Sequence, residues 1–171
     1  MFMKKPKARP IGTFIAGIGI LFIGMDMMSG AMVPLRNSPE FIEIVTTFSN
    51  PIIGIAVGAG FTAIIQSSAA SIGILQALAN NGVVTLGNAV YVLFGQNIGT
   101  CVTAVLAAIG AKRNAKRTTV VHLLFNMIGT VIFTVFCMAT PMLINAVASF
   151  TPTNPSAQIA NMHTIFNVAT S

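Results

Sequence analysis

The chain has 171 residues, of which 54% are hydrophobic and only 7% are charged, with a formal net charge of +6. Soluble proteins carry about 25% charged residues, so this composition excludes a soluble enzyme domain, a disordered chain and a disulfide scaffold. No acidic or basic residue lies between Glu43 and Lys112, and none follows Arg117. These uncharged stretches are long enough for several membrane spans, which indicates an integral membrane protein.

Eight of the nine basic residues form two short clusters, one within residues 4–9 and one within residues 112–117. Basic clusters that flank apolar runs mark the cytoplasmic ends of membrane segments. Nucleic acid is not expected as a partner, because no basic stripe with interleaved aromatic residues is present. Cys101 and Cys137 lie within apolar runs and are expected to be packing residues.

The first predicted span is the stretch from Ile11 to Val33, which contains no basic group and is long enough to cross a bilayer. Residues 1–10 are too charged and too rich in proline to continue this helix, and they are predicted to form a cytoplasmic basic segment. The span exceeds a usual signal-peptide core and lacks a clear cleavage site, so it is expected to be retained. Asp26 lies within it, either near the interface or facing a polar cavity.

A helical hairpin is predicted next. Ser38-Pro39-Glu40 offers a cap, a proline and an acidic first turn, so a short amphipathic helix should run to about Phe48. Asn50-Pro51 repeats the cap and proline and should start the following helix. The apolar stretch from Ile52 to Ala79 is then interrupted by Gln66-Ser67-Ser68.

The second half of the chain contains further apolar runs. The run from Val83 to Ala111 is interrupted by the glycine-containing element from Gly95 to Thr100, where a break in the helix is predicted. Thr118 to about Thr140 is predicted to span the membrane again. Thr151 to Ser156 then reads as an external loop, and a last helix should begin near Gln158.

The topology follows from counting crossings between the two basic clusters, which should both be cytoplasmic. The number of crossings must then be even. The first span leads out and the run ending at Ala111 leads back, so residues 50–81 should form a re-entrant hairpin that enters from outside. The predicted fold class is an all-α integral membrane protein with transmembrane helices and a re-entrant helical hairpin.

The two interrupted segments are the places where ion chemistry is expected. Irregular backbone at membrane depth is tolerated only where it is buried in protein or lines a wet cavity. Neutral oxygens suit sodium, whereas N–H and O–H donors at a helix N-terminus suit an anion. The alternative is interhelical hydrogen bonding by small polar residues. The candidate substrate- and ion-binding residues are Gln66, Ser67, Ser68, Ser71, Asn97, Thr100 and Thr103. The sodium candidates among them are Gln66, Ser67, Ser68, Asn97 and Thr100.

A polar stripe follows on the Thr118 span, and part of it is repeated later. Its members are Thr119, His122, Asn126 and Thr130. The pattern His-x-x-Phe-Asn occurs at His122 and again at His163, so two helices could meet across a bundle interior. A hydrogen-bonded packing role is favoured for each histidine over a proton relay or a ligand. No serine-nucleophile motif and no Cys/His metal spacing is present, so no enzymatic activity is expected.

In combination, three elements resemble the sodium-dependent inorganic phosphate cotransporter family (Na/Pi cotransporters). They are Gln66-Ser67-Ser68, Gly95-x-Asn97-Ile98-Gly99-Thr100 and Lys116-Arg117-x-x-x-x-His122-x-x-Phe125-Asn126. Gly24-Met25-Asp26-Met27-Met28 and Pro34-Leu35-Arg36 look like the lead-in to the second of that family's two inverted repeats. Two positions depart from its pattern. Ala69 stands in place of a third serine, and Gln96 where an acidic or small residue would be expected.

The resemblance implies sodium-coupled symport of inorganic phosphate across the cell membrane by a multi-pass protein. Residues 11–171 would be one repeat of an inverted-repeat transporter, incomplete at both ends. The expected partners are phosphate, membrane lipid, and a first repeat or second subunit, with sodium as coupling ion and no other cofactor. Two alternatives stay open: a carrier for another small anion, and a non-transporting membrane subunit or scaffold.

Overall fold

The computed structural model describes residues 8–32, 34 and 47–170. All regular secondary structure within them is helical. Within these residues two helices, α4 and α5, are long and apolar enough to cross a membrane, by length and composition. The elements in chain order are α1 (Ala8–Met32), a 3-10 helix (Thr47–Ser49), α2 (Pro51–Ile65), α3 (Ser68–Asn80), α4 (Leu86–Ala108), α5 (Arg113–Ala139), α6 (Met142–Phe150) and α7 (Pro155–Thr170).

Helix α1 begins at Ala8, so the expectation that the helix starts only after Pro10 is wrong. Proline is tolerated there because the N–H groups of a first helical turn have no intrahelical partner to lose. Apolar side chains of α1 are largely exposed, with Phe14 at 68% and Ile20 at 70%. That α1 spans the membrane stays a prediction. The short helix predicted from Ser38 falls largely on residues 35–46, which lie outside the described residues.

The interruption predicted at Gln66-Ser67-Ser68 is confirmed, and it separates α2 from α3. Asn50 caps α2, because its side-chain oxygen accepts a hydrogen bond from the Ile52 N–H at 3.0 Å. Gln66 ends the helix in the left-handed conformation, with φ of 57°. Ser67 is extended and caps α3. The chain therefore forms a helix–break–helix hairpin, whose position relative to a membrane stays a prediction.

Helix α4 is continuous from Leu86 to Ala108, so the predicted break between Gly95 and Thr100 is wrong. The glycines instead allow α2 and α4 to pack backbone against backbone. A Cβ atom added at Gly58 would collide with the Val92 carbonyl oxygen, and one at Gly95 with the Ile55 carbonyl oxygen. Small residues at this spacing let membrane helices approach closely, and here they fix the hairpin against the central helix.

Helices α5 and α7 both begin earlier than expected. Helix α5 starts at Arg113 rather than Thr118, so the second basic cluster lies in its first turns. Helix α7 starts at Pro155 rather than near Gln158, and the Asn154 side-chain oxygen accepts a hydrogen bond from the Ala157 N–H at 3.0 Å. Between α5 and α7 the chain forms a further short helix, α6, which was not predicted from the sequence.

Helix α4 lies at the centre of the described structure, where it contacts α2, α3, α5 and α7. Three aromatic rings join the helices around it. The ring centroid of Phe94 lies 5.7 Å from that of Phe133 in α5 and 5.2 Å from that of Phe166 in α7. Cys101 and Cys137 are free and buried, as predicted for packing residues. This core fixes the relative positions of the helix faces that carry polar residues.

Candidate functional site

A polar cavity of about 180 Å³ lies where α3, α4, α5 and α7 converge. It has room for several water molecules or for small ions with part of their hydration. Every lining residue except one phenylalanine is polar, and none is Lys, Arg, Asp or Glu. The lining residues are Ser68, Asn97, Thr100, His122, Phe125, Asn126, His163 and Asn167.

The hairpin break brings the N-terminus of α3 to this cavity. Ser68 is the first residue of α3 and lines the cavity wall. The preceding Ser67 accepts a hydrogen bond from the Ala70 N–H at 3.2 Å through its Oγ. The N–H groups of Ser68 and Ala69 therefore stand at the open end of the helix, where the helix dipole places partial positive charge.

Three asparagines of the cavity share one side-chain geometry. Asn97, Asn126 and Asn167 each donate the Nδ2 group to the main-chain carbonyl four residues earlier, at 2.8 to 2.9 Å. Since a carbonyl oxygen can only accept, each amide nitrogen faces its own helix and each Oδ1 is turned away from that carbonyl. Thr100 likewise donates its hydroxyl to the Gln96 carbonyl at 2.9 Å, which leaves the lone pairs of its Oγ1 as acceptors. The wall therefore presents neutral oxygen acceptors.

The two His-x-x-Phe-Asn patterns meet in this cavity, as the sequence suggested. Within each pattern the histidine and the asparagine are four residues apart, so they lie on one helical face. Helices α5 and α7 both turn that face to the cavity. The two phenylalanines differ: Phe125 lines the cavity, whereas Phe166 is fully buried and stacks on Phe94. The repeat thus contributes four polar side chains from two helices.

A hydrogen-bond network behind the cavity holds the hairpin in place. Thr62 Oγ1 in α2 and Ser71 Oγ in α3 lie 2.8 Å apart, and both side chains are fully buried. Gln96 donates its Nε2 to the Ser71 carbonyl at 3.2 Å, which ties α3 to α4. Gln96 Oε1 is buried and has no hydrogen-bond partner among the described residues. The hydrogen bonds of Gln96 and Ser71 therefore connect α3 to α2 and to α4.

The seven candidates predicted from sequence divide into two groups. Ser68, Asn97 and Thr100 line the cavity together. The other four do not form its wall. Gln66 is exposed at the break, Ser67 caps α3, Ser71 is bonded to Thr62, and Thr103 is exposed and donates to the Thr100 carbonyl at 3.0 Å.

The sequence favoured a packing role for His122 and His163 and did not name Asn126 or Asn167 as candidate ligands, yet all four line the cavity. The signal that identifies them is the repeated His-x-x-Phe-Asn pattern. Two other members of the predicted stripe do not belong to the wall. Thr130 is buried and donates to the Phe94 carbonyl at 3.2 Å, and Thr119 donates to the Ala115 carbonyl at 3.1 Å.

A multivalent-metal centre is not indicated within the described ranges. They hold no group of three or more His, Cys, Asp or Glu side chains placed to bind one metal ion. What the cavity offers is amide, hydroxyl and imidazole groups, together with a helix N-terminus. Such groups can bind a hard monovalent cation through oxygen and a small anion through N–H and O–H donors.

A protein-family model described as Na+/Pi-cotransporter matches residues 38–153. Three curated proteins illustrate the similarity. The chain is 34% identical over 167 residues to "Uncharacterized protein YqeW" of Bacillus subtilis (strain 168), a match that covers 95% of this chain and 52% of that protein. It is 27% identical over 133 residues to the human "Sodium-dependent phosphate transport protein 2B", covering 71% of this chain and 19% of that protein.

The third relative, YjbB of Escherichia coli (strain K12), is named as a candidate inorganic phosphate exporter. It is 25% identical over 134 residues, which cover 78% of this chain and 25% of that protein. The chain therefore spans about half the length of the Bacillus relative and a quarter or less of the other two. No solved structure matches the chain significantly.

Proposed function

The chain belongs to the Na+/Pi-cotransporter family, and from this membership we propose that it forms one repeat of a membrane transport core that couples sodium to inorganic phosphate. The observation that carries the proposal is the neutral polar cavity at the hairpin break. Side chains from four helices converge there, and a helix N-terminus opens onto it. Many transporter sites are likewise formed at a break between two helices, with a helix N-terminus directed at the anionic substrate.

The charge of the cavity supports coupling to a cation. Phosphate is an anion, and its transfer from water into a buried site is strongly unfavourable unless its charge is compensated. No lysine or arginine lines the cavity, and the α3 dipole supplies only part of a positive charge. Sodium ions bound beside the phosphate would supply the rest. Neither ion would then enter readily without the other, which is the physical basis of cotransport.

The side chains suggest a division of roles within this proposal. The oxygens of Asn97, Thr100 and Asn126 are the proposed sodium ligands, because hard cations prefer oxygen. The Ser68 hydroxyl and the open N–H groups of α3 are the proposed phosphate donors. Gln66 and Ser67, at the break itself, would contribute through the main chain.

We further propose a multi-pass arrangement in the cell membrane, with the loop at residues 109–112 cytoplasmic and the hairpin re-entrant. Helix α2 has 15 residues and α3 has 13. At 1.5 Å per residue they are about 22 and 20 Å long, whereas the hydrocarbon core is about 30 Å thick. Each arm is thus too short to cross alone. A companion repeat or second subunit would complete the far wall of the site.

The proposal is tested by comparing two threonines one turn apart in α4. Thr100 lines the cavity, whereas Thr103 is exposed outside it, and both hydroxyls donate to a main-chain carbonyl of α4. Thr100→Val and Thr103→Val are expressed from the native locus, so that any companion repeat is present. Flux of labelled phosphate is measured in membrane vesicles with a sodium gradient in each direction, because one relative is named for export.

Thr100→Val should lower sodium-dependent flux at least about tenfold at matched membrane abundance, and Thr103→Val should leave it nearly unchanged. An equal effect of both substitutions would contradict the assigned site. Unlabelled sulfate serves as a competitor: strong inhibition of flux by sulfate would favour a carrier for another small anion. Phosphate flux that does not respond to sodium would contradict the coupling.

A further inference from the structure

A second, larger concavity lies between the end of α4 and the first turns of α5, with a volume of about 510 Å³. It shares no lining residue with the polar cavity. Its wall is apolar apart from one lysine and one threonine. The lining residues are Val105, Ala108, Ile109, Gly110, Lys116, Thr119, Val120 and Leu123. We refer to it as the α4–α5 groove.

The groove is open and apolar along its length. Ile109 exposes 75% of its surface and Val120 exposes 53%. The one hydroxyl in the wall, that of Thr119, is already donated to a main-chain carbonyl. The wall therefore offers little to a polar ligand except Lys116, and it matches an extended hydrocarbon chain.

The start of α5, which supplies part of the groove wall including Lys116, carries a concentration of positive charge. Lys112, Arg113, Lys116 and Arg117 lie within six consecutive residues, and all four are exposed. The only acidic residue within the described ranges is Asp26, in α1. Helix α1, which carries Asp26, packs mainly against α3 rather than against the groove helices α4 and α5. The cluster thus complements an anion that is held at the mouth of an apolar channel.

We propose that the α4–α5 groove binds an anionic glycerophospholipid, with an acyl chain in the groove and the headgroup phosphate at Lys116. Free phosphate would be attracted by the basic cluster but would bury nothing against the apolar wall. A zwitterionic lipid would bury its acyl chain there but would be attracted less strongly by the four basic side chains. The cytoplasmic leaflet, which the basic cluster is predicted to face, is the one rich in anionic lipids. The inference uses the proposed cytoplasmic orientation of the cluster but not the proposed transport activity, because the two sites share no lining residue.

Lipid selectivity is the direct test. The protein is purified in detergent, and binding of phosphatidylglycerol and phosphatidylcholine with identical acyl chains is measured by native mass spectrometry. Phosphatidylglycerol should bind several-fold more tightly. Glycerol phosphate, the headgroup without chains, should not displace it. Equal retention of both lipids, or displacement by glycerol phosphate, would overturn the proposal.

Paired variants separate the groove from general attraction to the cluster. Lys116→Gln should weaken phosphatidylglycerol binding about fivefold, the factor expected for one basic residue near an anionic surface. Lys112→Gln, in the same cluster but outside the groove wall, should have a smaller effect. Equal losses would show that the groove does not define the site. Both side chains are exposed, so neither change should prevent folding.

A second pair tests the apolar wall. Val120 and Val121 are adjacent and similarly exposed, at 53% and 61%, but only Val120 lines the groove. Val120→Trp should fill the groove and reduce phosphatidylglycerol binding, whereas Val121→Trp should not. If the two variants bind alike, the acyl chain does not occupy the groove. Size-exclusion profiles establish that both variants are folded, and Leu123→Phe replaces Val120→Trp if that variant aggregates.

Discussion

The hydroxyl oxygens of Thr62 and Ser71 lie 2.8 Å apart, and both side chains are fully buried between the two arms of the hairpin. This contact lies close to the break, where Gln66 and Ser67 interrupt the helical hydrogen bonds. The Ser71 carbonyl also accepts a hydrogen bond from Gln96 in α4. Ser71 therefore links α2, α3 and α4 one helical turn after Ser68, which lines the polar cavity.

The Thr62–Ser71 contact should contribute measurably to stability. Ser71→Ala leaves the Thr62 hydroxyl buried without a partner and should lower the free energy of unfolding by about 1 kcal/mol, as for side-chain hydrogen bonds inside membrane proteins. Thermal unfolding in detergent measures this. Ser149→Ala, which removes an exposed hydroxyl bonded within its own helix, is the control and should have little effect.

A double-mutant cycle isolates the pair. If the bond forms, the double variant Thr62→Val/Ser71→Ala should lose less unfolding free energy than the sum of the losses in the two single variants. The reason is that neither hydroxyl is then left buried without its partner. Strict additivity would mean that the two hydroxyls do not interact.

The glycine contact between α2 and α4 should tolerate no added methyl group. Gly58→Ala places a Cβ against the Val92 carbonyl oxygen, which belongs to the backbone and cannot rotate away. A loss of about 1 to 3 kcal/mol in the free energy of unfolding is expected. Gly60→Ala in the same helix has no atom within 4 Å of the new Cβ and should be neutral or stabilising by up to about 1 kcal/mol. Similar melting temperatures for the two variants would contradict this packing.

The neutrality of the polar cavity can be tested by adding one negative charge. Asn126→Asp keeps the size of a cavity-lining side chain but loses the hydrogen bond from Nδ2 to the His122 carbonyl, so flux is compared at matched membrane abundance. The added charge should repel phosphate and raise the phosphate KM of sodium-driven flux by about tenfold or more. Sodium affinity should not fall, because a carboxylate is a good sodium ligand. Asn114→Asp, on the exposed first turn of α5, is the matched control. A lower phosphate KM in Asn126→Asp would remove this residue from the anion's surroundings.

Cysteine labelling in intact cells tests the topology. In a background that lacks Cys101 and Cys137, an impermeant thiol reagent should label Thr153→Cys, because the loop between α6 and α7 is predicted to be external. Lys112→Cys should react only after the membrane is permeabilised. Both positions are exposed, so a difference in reaction reflects the side of the membrane. Labelling of Lys112→Cys in intact cells would contradict a re-entrant hairpin.

Local chemistry made the hairpin predictable from the sequence. Asn50-Pro51 combines a side-chain cap with a proline at the first helical position, and the structure starts α2 there. Gln66-Ser67 combines a polar interruption with a serine cap, and the structure separates α2 from α3 there. These signals act within four residues, so they do not depend on the tertiary fold.

Long-range packing explains what the sequence did not reveal. Gly95 and Gly99 were interpreted as a break, but they face α2 at a distance that only glycine allows. A glycine can interrupt a helix or admit a neighbouring helix, and the choice depends on what lies opposite. His122 and His163 likewise carried a visible pattern. Their place in one cavity became clear only when α5 and α7 were seen on the same side of α4.

The backbone contact between α2 and α4 has a consequence for motion. Where main-chain atoms touch, there are no intervening side chains that could change rotamer and let one helix slide along the other. The hairpin and α4 should therefore move as one rigid body, and the distances between Ser68, Asn97 and Thr100 should stay constant during that motion. Any opening of the cavity would then occur along its border with α5 and α7, where side chains rather than glycines separate the helices.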